Sequence, residues 1–289
     1  MLLRCASALS RLPLSVLYAF ADGLLYPVMY YIVRYRRKVV AKNLRNAFPD
    51  KNDAERRHIE RDFYHQFCYT LVETMYGYRI SAEEMKQRVV FENPEEVDQA
   101  AKEYGGTVVM LAHMGNWEWM ASCQQWFSPE VLELNVYRKA KKEKTDAEII
   151  AIREKRGGAL VEKQRVLREM VKYRAAKQPI VLGLISDQKP RPEVTRTWVT
   201  FLHQETGFLD GGEELGKKFG YPVFALTVHR PERGYYRARF ECLSMNPKQT
   251  EEGEITAAYA RNLEKNIESE PHLWLWTHNR WKWKRVSSY

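Results

Sequence analysis

The chain has 289 residues, enough for one sizeable α/β domain with its own core. Its 46 Lys+Arg against 37 Asp+Glu leave a formal charge of +9, which favours anionic partners: phospholipid, phosphorylated glycolipid, an acidic protein or nucleic acid. The four cysteines, Cys5, Cys68, Cys123 and Cys242, are too scattered for a metal site or a disulfide framework, so reduced thiols are expected.

Leu12 to Val33 is mostly apolar, broken by Asp22, Gly23 and Pro27, and is followed by Arg34, Arg36, Arg37, Lys38, Lys42 and Arg45 with no acid among them. A spanning helix needs about 20 apolar residues, and a charge near its centre is costly. An interfacial or shallowly inserted helix, with the basic run on anionic headgroups, fits better. Two rivals stand: a signal peptide cut near Ala19-Phe20-Ala21, and a helix simply packed on the domain. The expected organisation is a membrane-associating helix with its basic segment over 1–45 and a catalytic-size domain over 46–289.

Asp53 to Tyr78 reads as a helix with Ile59, Phe63, Phe67, Leu71 and Met75 on one face, and its His58 and His65 as ordinary helix residues. Thr107 to Ala112, bounded by Gly105 and Gly106, reads as a buried strand. It runs into His113, a Gly115-Asn116 turn signal and a helix-compatible stretch for which Asn116 is a fitting N-cap. Five residues separate His113 from Glu118, about 140° apart on an unbroken helix, so the two converge only if His113 sits in the preceding loop. A carboxylate beside an imidazole fixes its tautomer and stabilises the imidazolium, which makes histidine a general base. The bland reading is a structural histidine beside a surface glutamate.

Further strands are expected at Val131 to Arg138, Ile180 to Ile185, Trp198 to Leu202, Val223 to His229 and Tyr235 to Leu243. Helices are expected at Thr145 to Lys155, ending at Gly157 and Gly158, at Gln164 to Lys177, and at Glu254 to Glu268, closed by Pro271. Strands alternating with helices argue for an open, twisted, largely parallel α/β sheet flanked by helices. Chemistry in such sheets gathers beyond the carboxyl ends of the strands, where His113, Arg138 and the Asp187-Gln188 pair all fall.

Two other stretches invite functional readings. Gly211 to Lys218, GGEELGKK, lacks the Ser or Thr of a phosphate-binding loop and is expected to be a helix with closely packed glycines. No G-x-S-x-G elbow occurs. Trp274 to Arg285 interleaves aromatics with positive charge, a pattern that suits stacking on bases, the headgroup region or closure of the core; closure plus membrane contact is preferred over nucleic acid.

HMGNWE, His113 to Glu118, resembles the H-x4-E signature of the bacterial lipid A late acyltransferases, a branch of the lysophospholipid acyltransferase superfamily. Four more blocks resemble that family in the expected order: RYRRKVVAKNLRNAFP (Arg34 to Pro49), VYR (Val136 to Arg138), Asp187-Gln188, and LWTHNRWK (Leu275 to Lys282). The family's members from the Bacteroidetes look most similar. A departure lies at Phe201 to Thr206, FLHQET, where the family commonly has a glycine after a Phe pair.

The resemblance implies transfer of a fatty acyl chain from an acyl carrier protein thioester to a hydroxyl of a lipid A precursor at the cytoplasmic face of the inner membrane. His113 is the implied base and Glu118 its orienting partner, with no covalent intermediate, no cofactor and no catalytic metal. Asn116 shapes the turn, Arg138 and Arg153 hold phosphate or the developing oxyanion, and Asp187 and Gln188 bind substrate or serve as structural polar groups. Expected partners are acyl carrier protein, an anionic lipid or glycolipid acceptor and the membrane surface, not nucleic acid. Coenzyme A as the acyl carrier, another lipid acceptor such as a lysophospholipid or amino-acid lipid, and a non-catalytic membrane- or nucleic-acid-binding scaffold remain open alternatives.

Overall fold

The computed structural model describes residues 11–139, 157–283 and 285. Nine strands are described: β1 Val89–Phe91, β2 Gly106–Leu111, β3 Leu132–Tyr137, β4 Ala159–Glu162, β5 Ile180–Ile185, β6 Trp198–Phe201, β7 Gln204–Gly207, β8 Val223–Glu232 and β9 Tyr235–Ser244. The main helices are α1 Leu14–Phe20, α2 Arg37–Ala47, α3 Asp53–Tyr76, α4 Ala82–Arg88, α5 Pro94–Tyr104, α6 Trp117–Met120, α7 Val166–Ala175, α8 Gly211–Phe219 and α9 Glu254–Ser269. The helix expected over 145–155, Arg153 within it, and Cys5 lie outside the described residues.

Seven strands form one sheet in the order β1-β9-β8-β2-β5-β3-β4, parallel throughout except for the β8–β9 pair. β2 and β5 lie side by side at the centre, with Gly106 opposite Ile180 and Leu111 opposite Ile185. Parallel strands with helices on both faces are buried on both sides, which accounts for their continuous apolar runs. Because β2 and β5 run the same way in register, the residues following them leave the sheet at the same edge. That register positions the site.

Trp198–Phe201 is a strand as expected, but it pairs with β7 in a separate antiparallel hairpin. Its two-residue turn is Leu202-His203, with φ of 48° and 60°. Such a turn needs left-handed backbone at both positions and usually takes Gly, Asn or Asp. Leu202 and His203 carry no such signal, so the hairpin was not legible. The carboxylate of Glu264 accepts the Leu202 N–H at 2.6 Å and helps hold this strained corner.

α3 starts on a capping box: Asn52 Oδ1 accepts from Ala54 N and Glu55 N, and Glu55 Oε2 accepts from Asn52 N. Its burial is wider than the single expected stripe. Leu71 is exposed, whereas Glu60, Gln66, Thr70 and Glu73 are buried with Phe63, Tyr64 and Val72. The cause is packing against the N-terminal helices on one side and the 3-10 turn Pro271–Leu273 on another.

The N-terminal helix runs from Leu14 to Ile32, partly with π-type hydrogen bonding, and meets Arg37–Ala47 at an 84° bend. No single helix among the described residues is long and apolar enough to cross a membrane; the bent pair passes by length and composition only. Asp22 faces the domain, where His65 Nδ1 lies at 2.9 Å, and accepts hydrogen bonds from Tyr69 Oη at 2.6 Å and Arg233 Nη1 at 2.9 Å. His65 also stacks on Tyr26. The opposite face exposes Val16, Leu24, Tyr31, Ile32 and Val33.

α8 carries the GGEELGKK stretch as an ordinary helix. A Cβ on Gly212 would stand 2.7 Å from Met110 Cγ, so glycine there permits the close approach of α8 to β2. Cys68, Cys123 and Cys242 are free thiols.

Candidate active site

The centre is built where β2 and β5 end. His113 lies two residues beyond the end of β2 and Asp187 two beyond the end of β5, so parallel neighbours deliver both to one point. Asp187 grips the histidine twice: Oδ1 lies 2.8 Å from Nδ1, and Oδ2 accepts the His113 backbone N–H at 3.0 Å. A third bond comes from the Trp274 indole, whose Nε1 donates to Asp187 Oδ2 at 2.9 Å. With Nδ1–H donating to Asp187, the lone pair sits on Nε2, and Gln188 Nε2 lies 3.3 Å from it. The Trp117 ring meets the imidazole edge to face at 5.0 Å. Asp187 is buried, and the His113 side chain keeps 14% of its surface exposed.

The electrostatics follow from this geometry. Burial pushes the His113 pKa down, but the charge and hydrogen bond of Asp187, aided by Glu118, outweigh it, and the group titrates above the ordinary imidazole value. Burial would raise Asp187; the imidazole's charge and the hydrogen bonds from His113 and Trp274 reverse that and hold it below the usual carboxylate value. His278, nearby, is pushed down to about 4, chiefly by burial, and stays neutral at physiological pH. Its Nε2 accepts the Lys189 N–H at 3.4 Å.

The loop that carries His113 is held from both sides. Leu275 N donates to His113 O at 3.1 Å and Gly115 N to Leu273 O at 3.0 Å, so the C-terminal segment pairs with the loop across a Met114–Trp274 bridge. Trp274 and Trp276 are buried, the closure expected of this aromatic stretch, while Trp283 is exposed. Gly115 has a φ of +56°, and a Cβ there would meet Tyr236 at 2.8 Å.

Asn116, expected from sequence to cap the helix and shape the turn, is fully buried with its amide committed at both ends. Oδ1 accepts Trp119 N at 3.2 Å as the N-cap of α6, and Nδ2 donates to Glu73 Oε2 at 3.0 Å. It acts on the site by shaping the turn. α6 is only four residues long and gives way to a 3-10 turn at Cys123–Trp126. Glu118 occupies its first turn, half-buried, near enough for its charge to act on His113. Arg138 directly follows β3 at the same edge of the sheet and is exposed.

Sequence reasoning missed Glu73. This carboxyl is fully buried and accepts from Tyr18 Oη at 2.8 Å, Tyr236 Oη at 2.7 Å and Asn116 Nδ2. Burial raises its pKa despite those three donors. The only hint in sequence was a glutamate inside an apolar helical stretch.

The fold and site define an α/β protein with a carboxylate-bound histidine at the carboxyl edge of its sheet. Over residues 3–283 the chain matches the model of the family described as bacterial lipid A biosynthesis acyltransferase, and it belongs to that family. Its activity is accordingly acyl transfer in lipid A biosynthesis. A comparison with curated proteins finds no match.

Proposed function

We propose that the chain moves a fatty acyl group from an acyl carrier protein thioester to a hydroxyl of a lipid A precursor, working at the cytoplasmic face of the inner membrane with His113 as general base. The observation that carries this reading is the 2.8 Å contact of Asp187 with His113 Nδ1, which leaves Nε2 as the basic nitrogen. The substrate hydroxyl displaces Gln188 and gives its proton to Nε2 as its oxygen attacks the thioester carbonyl. The resulting oxyanion collapses, the carbon–sulfur bond breaks, and the thiolate recovers the proton from the imidazolium. An ester and a free thiol result, and the histidine is regenerated.

In this scheme Asp187 takes the orienting role at Nδ1, and Glu118 adds negative charge that favours the imidazolium. The exposed apolar face of Val16, Leu24, Ile32 and Val33, flanked by exposed Arg34, Lys38, Lys42 and Arg45, supports an interfacial helix lying on anionic lipid. Asp22, bound to His65, Tyr69 and Arg233, then faces protein rather than hydrocarbon. The positive surface also suits an acidic carrier protein.

The test is mass spectrometry of lipid products from the purified protein, given lipid A precursor and carrier protein loaded with fatty acids of several lengths. A precursor heavier by one acyl group is expected with the wild type and none with a folded His113→Ala variant. Undiminished product in His113→Ala would remove the mechanism.

A further inference from the structure

The strand end that orients His113 goes on to supply a cation. Past Ser186 at the end of β5 come three consecutive residues: Asp187 holds Nδ1, Gln188 faces Nε2, and Lys189 comes next. Lys189, Thr195, Trp198, Gly207, Arg280 and Trp283 line a shallow surface crevice.

Arg280 is the unusual member. It is only 3% exposed, donates from Nη2 to Gly207 O at 2.6 Å, and lies 4.6 Å over the Phe208 ring. Its buried Nε–H has no hydrogen-bond partner among the described residues. Buried guanidinium donors are ordinarily satisfied, because an unmet one forfeits its hydration without return.

Two more cations approach the same place. Arg36, exposed at the bend between the N-terminal helices where its backbone is left-handed, donates from Nη1 to Thr277 O at 3.0 Å, one residue before His278. Lys282 follows in the same C-terminal segment, its Nζ 4.5 Å from the Trp283 ring centre. Among the described residues none of Arg36, Lys189, Arg280 and Lys282 forms an ion pair. The carboxylate whose charge reaches Arg280, that of Asp187, is already engaged by His113 and Trp274. Burial, then repulsion from Lys282, Arg36 and Arg280, pulls Lys189 below the usual lysine value, and burial pushes Arg280 down to about 10. Cations gathered this way repel one another until an anion joins them.

We propose that this crevice is an anion site for a phosphate group of a substrate, with Lys189 and Arg280 as its inner contacts and Arg36 and Lys282 at its mouth. The proposal rests on the acyl-transfer reading for its biological ligand. A phosphate can reach the crevice from either substrate: the phosphorylated glycolipid acceptor, or the phosphodiester of the carrier protein's prosthetic arm. Fixed there, it would set the distance from the anchored end of that substrate to Nε2 of His113.

Steady-state kinetics of wild type and Lys189→Gln decide it, with phosphorylated or dephosphorylated acceptor and with carrier-protein thioester or a phosphate-free N-acetylcysteamine thioester. A KM rise of about tenfold or more, with kcat within about twofold, is expected for the phosphate-bearing substrate only. If the rise follows the acceptor's phosphate, the acceptor occupies the site; if it vanishes with the N-acetylcysteamine thioester, the donor does. KM unchanged in all four combinations overturns the proposal. Should the wild type transfer no acyl group on any combination, the acyl-transfer reading fails, and calorimetric titration with inorganic phosphate then judges the crevice alone. Saturable binding to the wild type that is lost in Lys189→Gln supports the site; equal binding or none overturns it.

Discussion

Asn116 donates to the buried carboxyl of Glu73 at 3.0 Å, joining the turn that carries His113 to the last turn of the longest helix. Glu73 also accepts from Tyr18 on the N-terminal helix and from Tyr236 on β9. One carboxyl thus ties the His113 turn, the N-terminal helix and the sheet together. Around it, Gln66 donates to Tyr236 and Thr70 donates to Gly115 O, so the turn is held at two successive residues.

Glu73→Ala strands three buried donors at once. It is expected to destabilise the fold by about 3–5 kcal/mol, the range for removing the acceptor from a buried polar network. Chemical denaturation measures this. A loss below about 1 kcal/mol would show that the network contributes little to the fold.

Asp187→Asn removes the charge that raises His113. In the wild type the imidazole titrates above its ordinary value, so a base-catalysed rate climbs with pH through that raised value. In the variant burial regains the upper hand, the acid limb moves to lower pH, and the maximal rate falls by about 10²–10⁴-fold, as when the carboxylate behind a histidine base is lost elsewhere. A pH–rate profile of both proteins checks the sign. An acid limb that stays in place, or moves up, would remove Asp187 from the proposed mechanism.

The same pair has a stability signature. His113, raised in the fold, contributes stability fully present below the usual imidazole value and lost as pH rises through its raised value. Asp187, lowered in the fold, contributes above the usual carboxylate value and loses it as pH falls through its lowered one. The pair therefore stabilises most between about pH 4 and 6.5, and Asp187→Asn should flatten the denaturation midpoint across that window.

The N-terminal face makes a separate prediction. Ile32 is 74% exposed and Leu24 51%, so changing both to Asp should leave the folded domain intact. Each loses about 1.5–3 kcal/mol of burial if that face enters lipid, and flotation with anionic phospholipid vesicles should show binding weakened by at least about tenfold. Unchanged flotation would separate the helix from the membrane.

Much of the architecture was legible from local pattern. Ile180–Ile185 is a strand because a six-residue apolar run suits a strand buried on both faces. Glu254–Ser269 buries Ile255, Tyr259, Leu263 and Ile267, the spacing its sequence displays. His113, Asn116 and Glu118 were singled out from a strand-turn-helix pattern that local chemistry sets. Leu71 misled because the stripe argument assumes one covered face, and α3 is covered on more than one.

The amino-acid order by itself determined the alternation of strands and helices, the emergence of His113 from a buried strand, and the cap that turns the chain after it, since each depends on near neighbours. Which carboxylate meets the imidazole was decided only in three dimensions. Asp187 is 74 residues away, and the in-register pairing of β2 with β5 brings it to Nδ1. Tertiary packing likewise put Trp274 on that carboxylate, drew Glu73 inward and stood Lys189 beside Arg280. Side chains so distant along the chain meet only after the sheet has chosen its strand order, because that choice rests on burial summed over the whole core rather than on any short stretch.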